Sequence, residues 1–253
     1  LTAQRLIGHD DNQDIGSNIQ SGQAVRTYKT MQELAFEAIR GRILGGSLRP
    51  GQWVRQDRLA AELGVSRMPV REALRRLADI GLVRLHAHRG TQVIHLDASS
   101  VEDLFVTRAA LEGTAARLAA GRLGRTDLAA LEGLLGQMDR AAARCAFGAY
   151  VRLNDRYHQR LNASCGLQTL TATIEAIRSR CALVLRSGLN LPERLAESQK
   201  EHHRIYEACH RGDGRAAEKA MREHILRTAK ALVARFAKDP GSVESAVLED
   251  LLT

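Results

Sequence analysis

The chain has 253 residues, with 37 Lys and Arg against 29 Asp and Glu for a net charge of +8, and it is 44% hydrophobic and 4% aromatic. That length suits one or two domains of roughly 100–200 residues each, and the balance of apolar and charged residues excludes a largely disordered chain. No apolar run approaches the roughly 18 residues of a membrane span, and the N-terminus lacks the basic-then-apolar order of a secretion signal, so a cytoplasmic protein with no membrane partner is expected.

Residues 1–27 hold two Arg and three Asp among Gly, Ser, Asn and Gln, and read as a flexible N-terminal extension. Residues 28–97 carry 12 Lys/Arg against 7 Asp/Glu and read as a winged helix-turn-helix DNA-binding domain. Within it, Met31 to Leu44 places Met31, Leu34, Ala35, Ala38, Ile39 and Ile43 at helical spacing, and Gly45-Gly46 ends the helix. A short helix from Gln56 closes at Gly64. A second begins after Ser66, a suitable N-cap, with Pro69 in its first turn and Val70, Ala73, Leu74 and Leu77 forming its apolar face. Two short helices joined by a tight glycine turn are a helix-turn-helix. Leu82–Leu85 and Thr91–Ile94 are strand-like, and His86-Ala87-His88-Arg89-Gly90 between them is a basic wing.

Such a recognition helix puts its N-terminal residues into the major groove. Ser66, Arg67, Met68, Arg71 and Arg75 lie on that end and outer side. An Arg can pair bidentately with guanine, and His88 and Arg89 on the wing are placed for phosphate or the minor groove.

These residues carry a family resemblance. The run from Leu59 through Leu-Gly-Val-Ser-Arg-Met-Pro-Val-Arg-Glu-Ala-Leu to Leu77, with Gly81-Leu82-Val83 and Arg89-Gly90-Thr91 after it, closely resembles the winged helix of the GntR family of bacterial transcription regulators. The resemblance implies that Arg67 and Arg71 meet bases or adjacent phosphates, Ser66 meets phosphate, and the Arg89–Gly90 turn enters the minor groove.

Residues 98–238 hold 23 Lys/Arg against 15 Asp/Glu and show helical periodicity only. Amphipathic stretches cover Val101–Ala120, Leu128–Ala143, Phe147–Ala163, Leu167–Leu189, Arg194–His210 and Arg215–Ala237, with breakers at Gly124, Gly166, Pro192 and Gly212-Asp213-Gly214. The fold class expected is mainly α: the N-terminal winged helix plus a C-terminal all-helical antiparallel bundle of six or seven helices. Residues 239–253, with four acids and no base, read as an acidic C-terminal tail. The four cysteines (Cys145, Cys165, Cys181 and Cys209) show no CxxC spacing and are expected as free thiols.

Three histidines fall on inward stripes of three helices: His158 with Asn154 and Leu161, His202 with Ile205 and Cys209, and His224 with Met221, Ile225 and Thr228. A buried imidazole needs partners for both nitrogens. Three of them on one bundle can be satisfied core residues, or can converge on a divalent metal; an all-imidazole set suits Zn, Ni, Co, Fe or Cu rather than Ca or Mg. Arg108 stands four residues before Glu112, the spacing of a helical salt bridge.

Residues 100–238 resemble the FCD ligand-binding domain of the FadR-like branch of the GntR family, through Arg108 with Glu112, Asn154-Asp155-Arg156-Tyr157-His158, Glu201-His202 and Met221-Arg222-Glu223-His224. The resemblance implies an effector-binding domain, with Arg108 clamping a small carboxylate and a metal, Zn or Ni foremost, on His158, His202, His224 and the position of Asn154. Metal-binding members have Asp there; this chain has a neutral, weaker oxygen donor.

The function expected is therefore a homodimeric transcription repressor on a pseudo-palindromic DNA operator, controlled by a small organic acid. The alternative is a metal-dependent enzyme with a DNA-binding appendage; the inward faces offer no evident Glu or Asp base, which weighs against it.

Overall fold

The computed structural model describes residues 29–87, 89–95, 97–188, 192–236 and 246–252. The N-terminal extension and His88 lie outside them, as do residues 237–245 of the C-terminal segment. Thr30 starts helix α1 (Met31–Leu44) with a reciprocal cap: its hydroxyl accepts from the Glu33 amide, and the Glu33 carboxylate accepts from the Thr30 amide. Helices α2 (Gln56–Leu63) and α3 (Arg67–Asp79) follow, separated by Gly64 at φ +66°, a left-handed turn that glycine adopts without strain.

Strands β1 (Trp53–Val54), β2 (Val83–His86) and β3 (Gly90–Val93) form an antiparallel sheet in the order β1-β3-β2. Val83 pairs with Val93 and His86 with Gly90, so the hairpin tip is the wing; Trp53 pairs with Gln92 on the other edge. Two residues are too few for alternation to betray β1 in the sequence. Ile39, Val70, Leu74, Leu77 and Leu82 are fully buried at the centre of this small core.

The second core is built by α4 (Ala98–Ala120), α5 (Arg125–Ala143), α6 (Phe147–Ala163), α7 (Gln168–Gly188), α8 (Pro192–His210) and α9 (Gly214–Phe236). Asp97 caps α4 by accepting from the Ser100 amide, and Pro192 occupies the first position of α8, where no amide proton is needed. Helices α4 and α9 press closely together: a Cβ on Gly113 would lie 2.6 Å from the Arg222 side chain. Part of the stretch expected as an acidic tail is instead a helix, α10 (Ala246–Leu252). The physical reason is its apolar face: Leu248 is buried in the bundle core, Leu251 and Leu252 pack against it, and Glu249 pairs with Lys230.

The two cores meet along α7. The Arg40 guanidinium on α1 donates to the Ser179 hydroxyl at 3.4 Å. At Gly81, φ is +71°, a left-handed turn that favours glycine, and the Arg180 side chain packs against it behind the recognition helix.

Candidate functional site

Helix α3 is amphipathic in the sense that DNA reading needs. Its underside, Pro69, Val70, Ala73, Leu74 and Leu77, is buried. Ser66 holds the N-cap position with extended backbone, but its side chain makes no capping hydrogen bond and is exposed. Arg67 is 75% exposed and Nε is 2.6 Å from the equally open Asp57 carboxylate. Met68 is 55% exposed; Arg71 stands in solvent, donating to the Met68 sulfur at 2.8 Å and lying 3.7 Å from Glu72, and Arg75 lies 3.3 Å from Glu72. Exposed pairs of this kind contribute little to stability and yield readily to phosphate or a base edge. Arg89 and Gly90 are exposed at the wing tip.

The bundle holds the opposite kind of charge. His158 (α6), His202 (α8) and His224 (α9) are buried, and one ring nitrogen from each lies within 4.8 Å of the others. Each Nδ1 has its own acceptor. His158 Nδ1 lies 2.6 Å from Glu112 Oε2, His202 Nδ1 lies 2.7 Å from the Ser198 carbonyl, and His224 Nδ1 lies 2.8 Å from Glu201 Oε2. Carbonyls and carboxylates only accept, so Nδ1 carries the proton on all three rings and Nε2 presents a lone pair.

Burial pushes the His158 imidazole down to about 3 despite Glu112, and pushes His202 well below its ordinary value, helped by the neighbouring histidines. Burial also lowers His224, against the pull of Glu201. The three rings are neutral at neutral pH, the form that ligates a metal. The Nε2 atoms of His158 and His202 are 3.3 Å apart. Two bare lone pairs at that distance repel unless a cation or proton lies between them, so the donor set fits a divalent transition metal.

The carboxylates behind the rings are hubs. Glu112 is fully buried and accepts from Arg108 Nε at 2.5 Å, Arg178 at 3.3 Å, Asn162 at 3.1 Å and His158. Burial alone would raise its carboxyl, but Arg108, Arg178 and His158 hold it well below the usual carboxylate range. Glu201 is likewise opposed by burial, yet His224 and Arg194 bring it down to about 2. Arg194 also donates to Thr228 at 2.8 Å, and Arg178 reaches Asp155 at 2.5 Å.

The inward faces do carry two acids, Glu112 and Glu201. Both are ionised and fully engaged by cations and histidines. The salt-bridge role read for Arg108 is present, and Arg108 also lines a cavity beside the histidines with Asn154, Tyr150 and His224. Asp155, one step from Asn154, turns away to Arg178, as helical geometry predicts.

Sequence reasoning missed Arg178, Arg194 and Ser198. The signal was there for the first: Ile174, Arg178 and Cys181 fall at four- and three-residue steps on one stripe of α7, and all three are buried. Arg194, Ser198 and Glu201 share a face of α8 in the same way. The cysteines are free, with Cys165, Cys181 and Cys209 buried and Cys145 exposed.

Comparison with known proteins bears on both regions. Residues 31–93 match the model of bacterial regulatory proteins of the gntR family, and residues 103–227 match the FCD domain. The chain is 31% identical over 210 residues to an HTH-type transcriptional regulator of Streptomyces ambofaciens, covering 78% of this chain and 83% of the relative. It is 29% identical over 193 residues to the HTH-type transcriptional repressor RspR of Escherichia coli, covering 75% and 83%. The solved structure of Escherichia coli McbR/YncC superimposes with a TM-score of 0.73 at 22% identity, over 83% of this chain and 100% of that one. That last likeness shows the shared fold.

Proposed function

The chain belongs to the gntR family of bacterial regulatory proteins and carries an FCD domain, and from that premise we propose that it is a repressor whose hold on operator DNA is released by a small carboxylate bound beside His158, His202 and His224. It is a DNA-binding transcription regulator, not an enzyme. The observation that carries the effector reading is the convergence of three buried imidazoles whose Nδ1 atoms are each pinned by an acceptor. A core that needed only filling would not spend three histidines and two carboxylates there, because unpaired buried polar groups are costly.

His158, His202 and His224, with Asn154 as a neutral oxygen donor, would hold a divalent transition metal, Zn or Ni foremost. When bound, that ion supplies a Lewis-acid contact for an anionic ligand. The chain's own residues do the rest: Glu112 and Glu201 fix the ring orientations, and Arg108 offers positive charge at the cavity wall. On the DNA side, Ser66, Arg67, Met68, Arg71 and Arg75 face the major groove, with Arg89, Gly90 and His88 of the wing on phosphate or the minor groove. Two copies of the chain, as a homodimer, would read the two halves of a pseudo-palindromic operator.

The link between the two regions is α7. Three consecutive residues reach three partners: Arg178 holds Glu112 behind His158, Ser179 accepts from Arg40 on α1, and Arg180 packs on Gly81 behind α3. The carboxylate acts by binding the DNA-incompetent arrangement more tightly than the competent one.

The test is native mass spectrometry of the full chain purified without chelator. The reading predicts a dimer carrying a transition metal and a small acid, and metal-free protein for His158→Ala, His202→Ala and His224→Ala. Full metal content in those three variants overturns it.

A further inference from the structure

We infer that the ligand is a monocarboxylate with a short apolar body, and that Arg194 is the residue that recognises its carboxylate. The inference rests on the effector reading above and narrows it to a chemical class.

The cavity beside the histidines has a mixed lining. Phe147 and Val151 from α6, Leu185 from α7 and Leu195 from α8 are apolar, and Arg108, Tyr150, Asn154, Arg194, Ser198, His224 and Thr228 are polar. Each further carboxylate on a ligand needs a partner of its own, at a cost of several kcal/mol where a buried charge goes unpaired. A ligand with one carboxylate and a hydrocarbon body suits four apolar side chains and a single guanidinium with an unused N–H.

The charges around the cavity are also unequal. Among the described residues, the buried carboxylates Glu112 and Glu201 face three largely buried guanidinium groups, those of Arg108, Arg178 and Arg194, besides the more exposed Arg227. Arg178 makes up its share with the half-exposed Asp155. Arg108 is matched by Glu112 at 2.5 Å. Arg194 is matched only in part: one terminal nitrogen serves Glu201, Thr228 and the His224 carbonyl, while its Nε is buried without any hydrogen-bond partner. Its carboxylate is moreover shared with Arg227 and His224. A guanidinium that lines a cavity with an orphaned Nε–H lacks one acceptor, and a carboxylate oxygen supplies it. Volume sets the scale. The cavity offers about 40 Å³ to the centres of water-sized groups, a few times what a single water needs, so the body is short.

The test is isothermal calorimetry on the full-length zinc-loaded chain with acetate, butyrate, pentanoate, benzoate, malate and citrate as probes. Butyrate and pentanoate are expected to bind, each added methylene tightening binding about four-fold until the cavity is full. Malate and citrate are expected to bind at least ten-fold more weakly. Arg194→Lys keeps the charge but loses the Nε–H and should weaken every monocarboxylate about equally, whereas Val151→Ser should weaken pentanoate and leave acetate unchanged. Tighter binding of citrate or malate, or an unaltered butyrate affinity in Arg194→Lys, overturns this inference and leaves the effector reading standing. No heat with any probe, together with unaltered DNA affinity in their presence, contradicts the effector reading itself.

Discussion

On α3 Arg67, Arg71 and Arg75 stand in solvent beside weak partners, whereas Arg108, Arg178 and Arg194 of the bundle are largely buried and each is held by a carboxylate. Arg67, Arg71 and Arg75 leave the fold intact whichever way they turn, so they are available to follow a nucleic-acid backbone and read bases. Arg108, Arg178 and Arg194 cannot turn without stranding Glu112 or Glu201, and those carboxylates cannot move without releasing His158 or His224. The contrast teaches that the same residue type serves specificity when solvated and geometry when buried. In water, charge is inexpensive to rearrange; in the core, each rearrangement leaves an unpaired charge behind.

The largest expected effect is on the buried side. Glu112→Ala strands Arg108, Arg178 and the His158 Nδ1–H together, and should destabilise the chain by about 3–5 kcal/mol in urea denaturation. A loss below about 1 kcal/mol would break the contrast. Next comes the exposed side, where Arg67→Ala or Arg71→Ala should leave folding stability within about 0.5 kcal/mol yet cost about 1–3 kcal/mol of discrimination between operator and random DNA in a fluorescence anisotropy titration. Equal losses on both DNAs would assign those side chains to phosphate alone.

Smaller again, Glu201→Gln keeps the shape behind His224 but weakens its orienting acceptor, and should lower zinc affinity by about 10–100-fold in a chelator competition. Unchanged affinity would separate Glu201 from the metal reading. The smallest effect is expected at the wing. Arg89→Ala should weaken binding about equally on all sequences and reduce the salt slope of DNA binding by about one; a sequence-dependent loss would move Arg89 from backbone to base contact.

Much of this contrast was legible in the sequence. The helix-turn-helix reads cleanly because its signals are local: Gly64, Ser66 and Pro69 punctuate the chain, and Val70, Ala73, Leu74 and Leu77 repeat at helical spacing. The histidines could be placed on inward stripes for the same reason. Their partners could not, since Glu112 lies 46 residues from His158 and Arg178 a further 20 beyond it, and pairing over such separations depends on how α4, α6 and α7 pack. Arginine on a helix reads as solvated unless its stripe is seen to be apolar, which hid Arg178 and Arg194. Helix α10 was overshadowed by the four acids of residues 239–253, although five of its own seven residues are apolar and Leu248 is buried.

The central claim is that occupancy of the buried site sets the DNA affinity of the exposed helix. It is tested most directly by anisotropy titration of a DNA fragment, selected from a random pool by the full-length zinc-loaded chain, with and without saturating butyrate. The account predicts that butyrate raises Kd at least ten-fold for the natural chain and leaves it unchanged for His202→Ala. A butyrate effect of equal size in His202→Ala would contradict it.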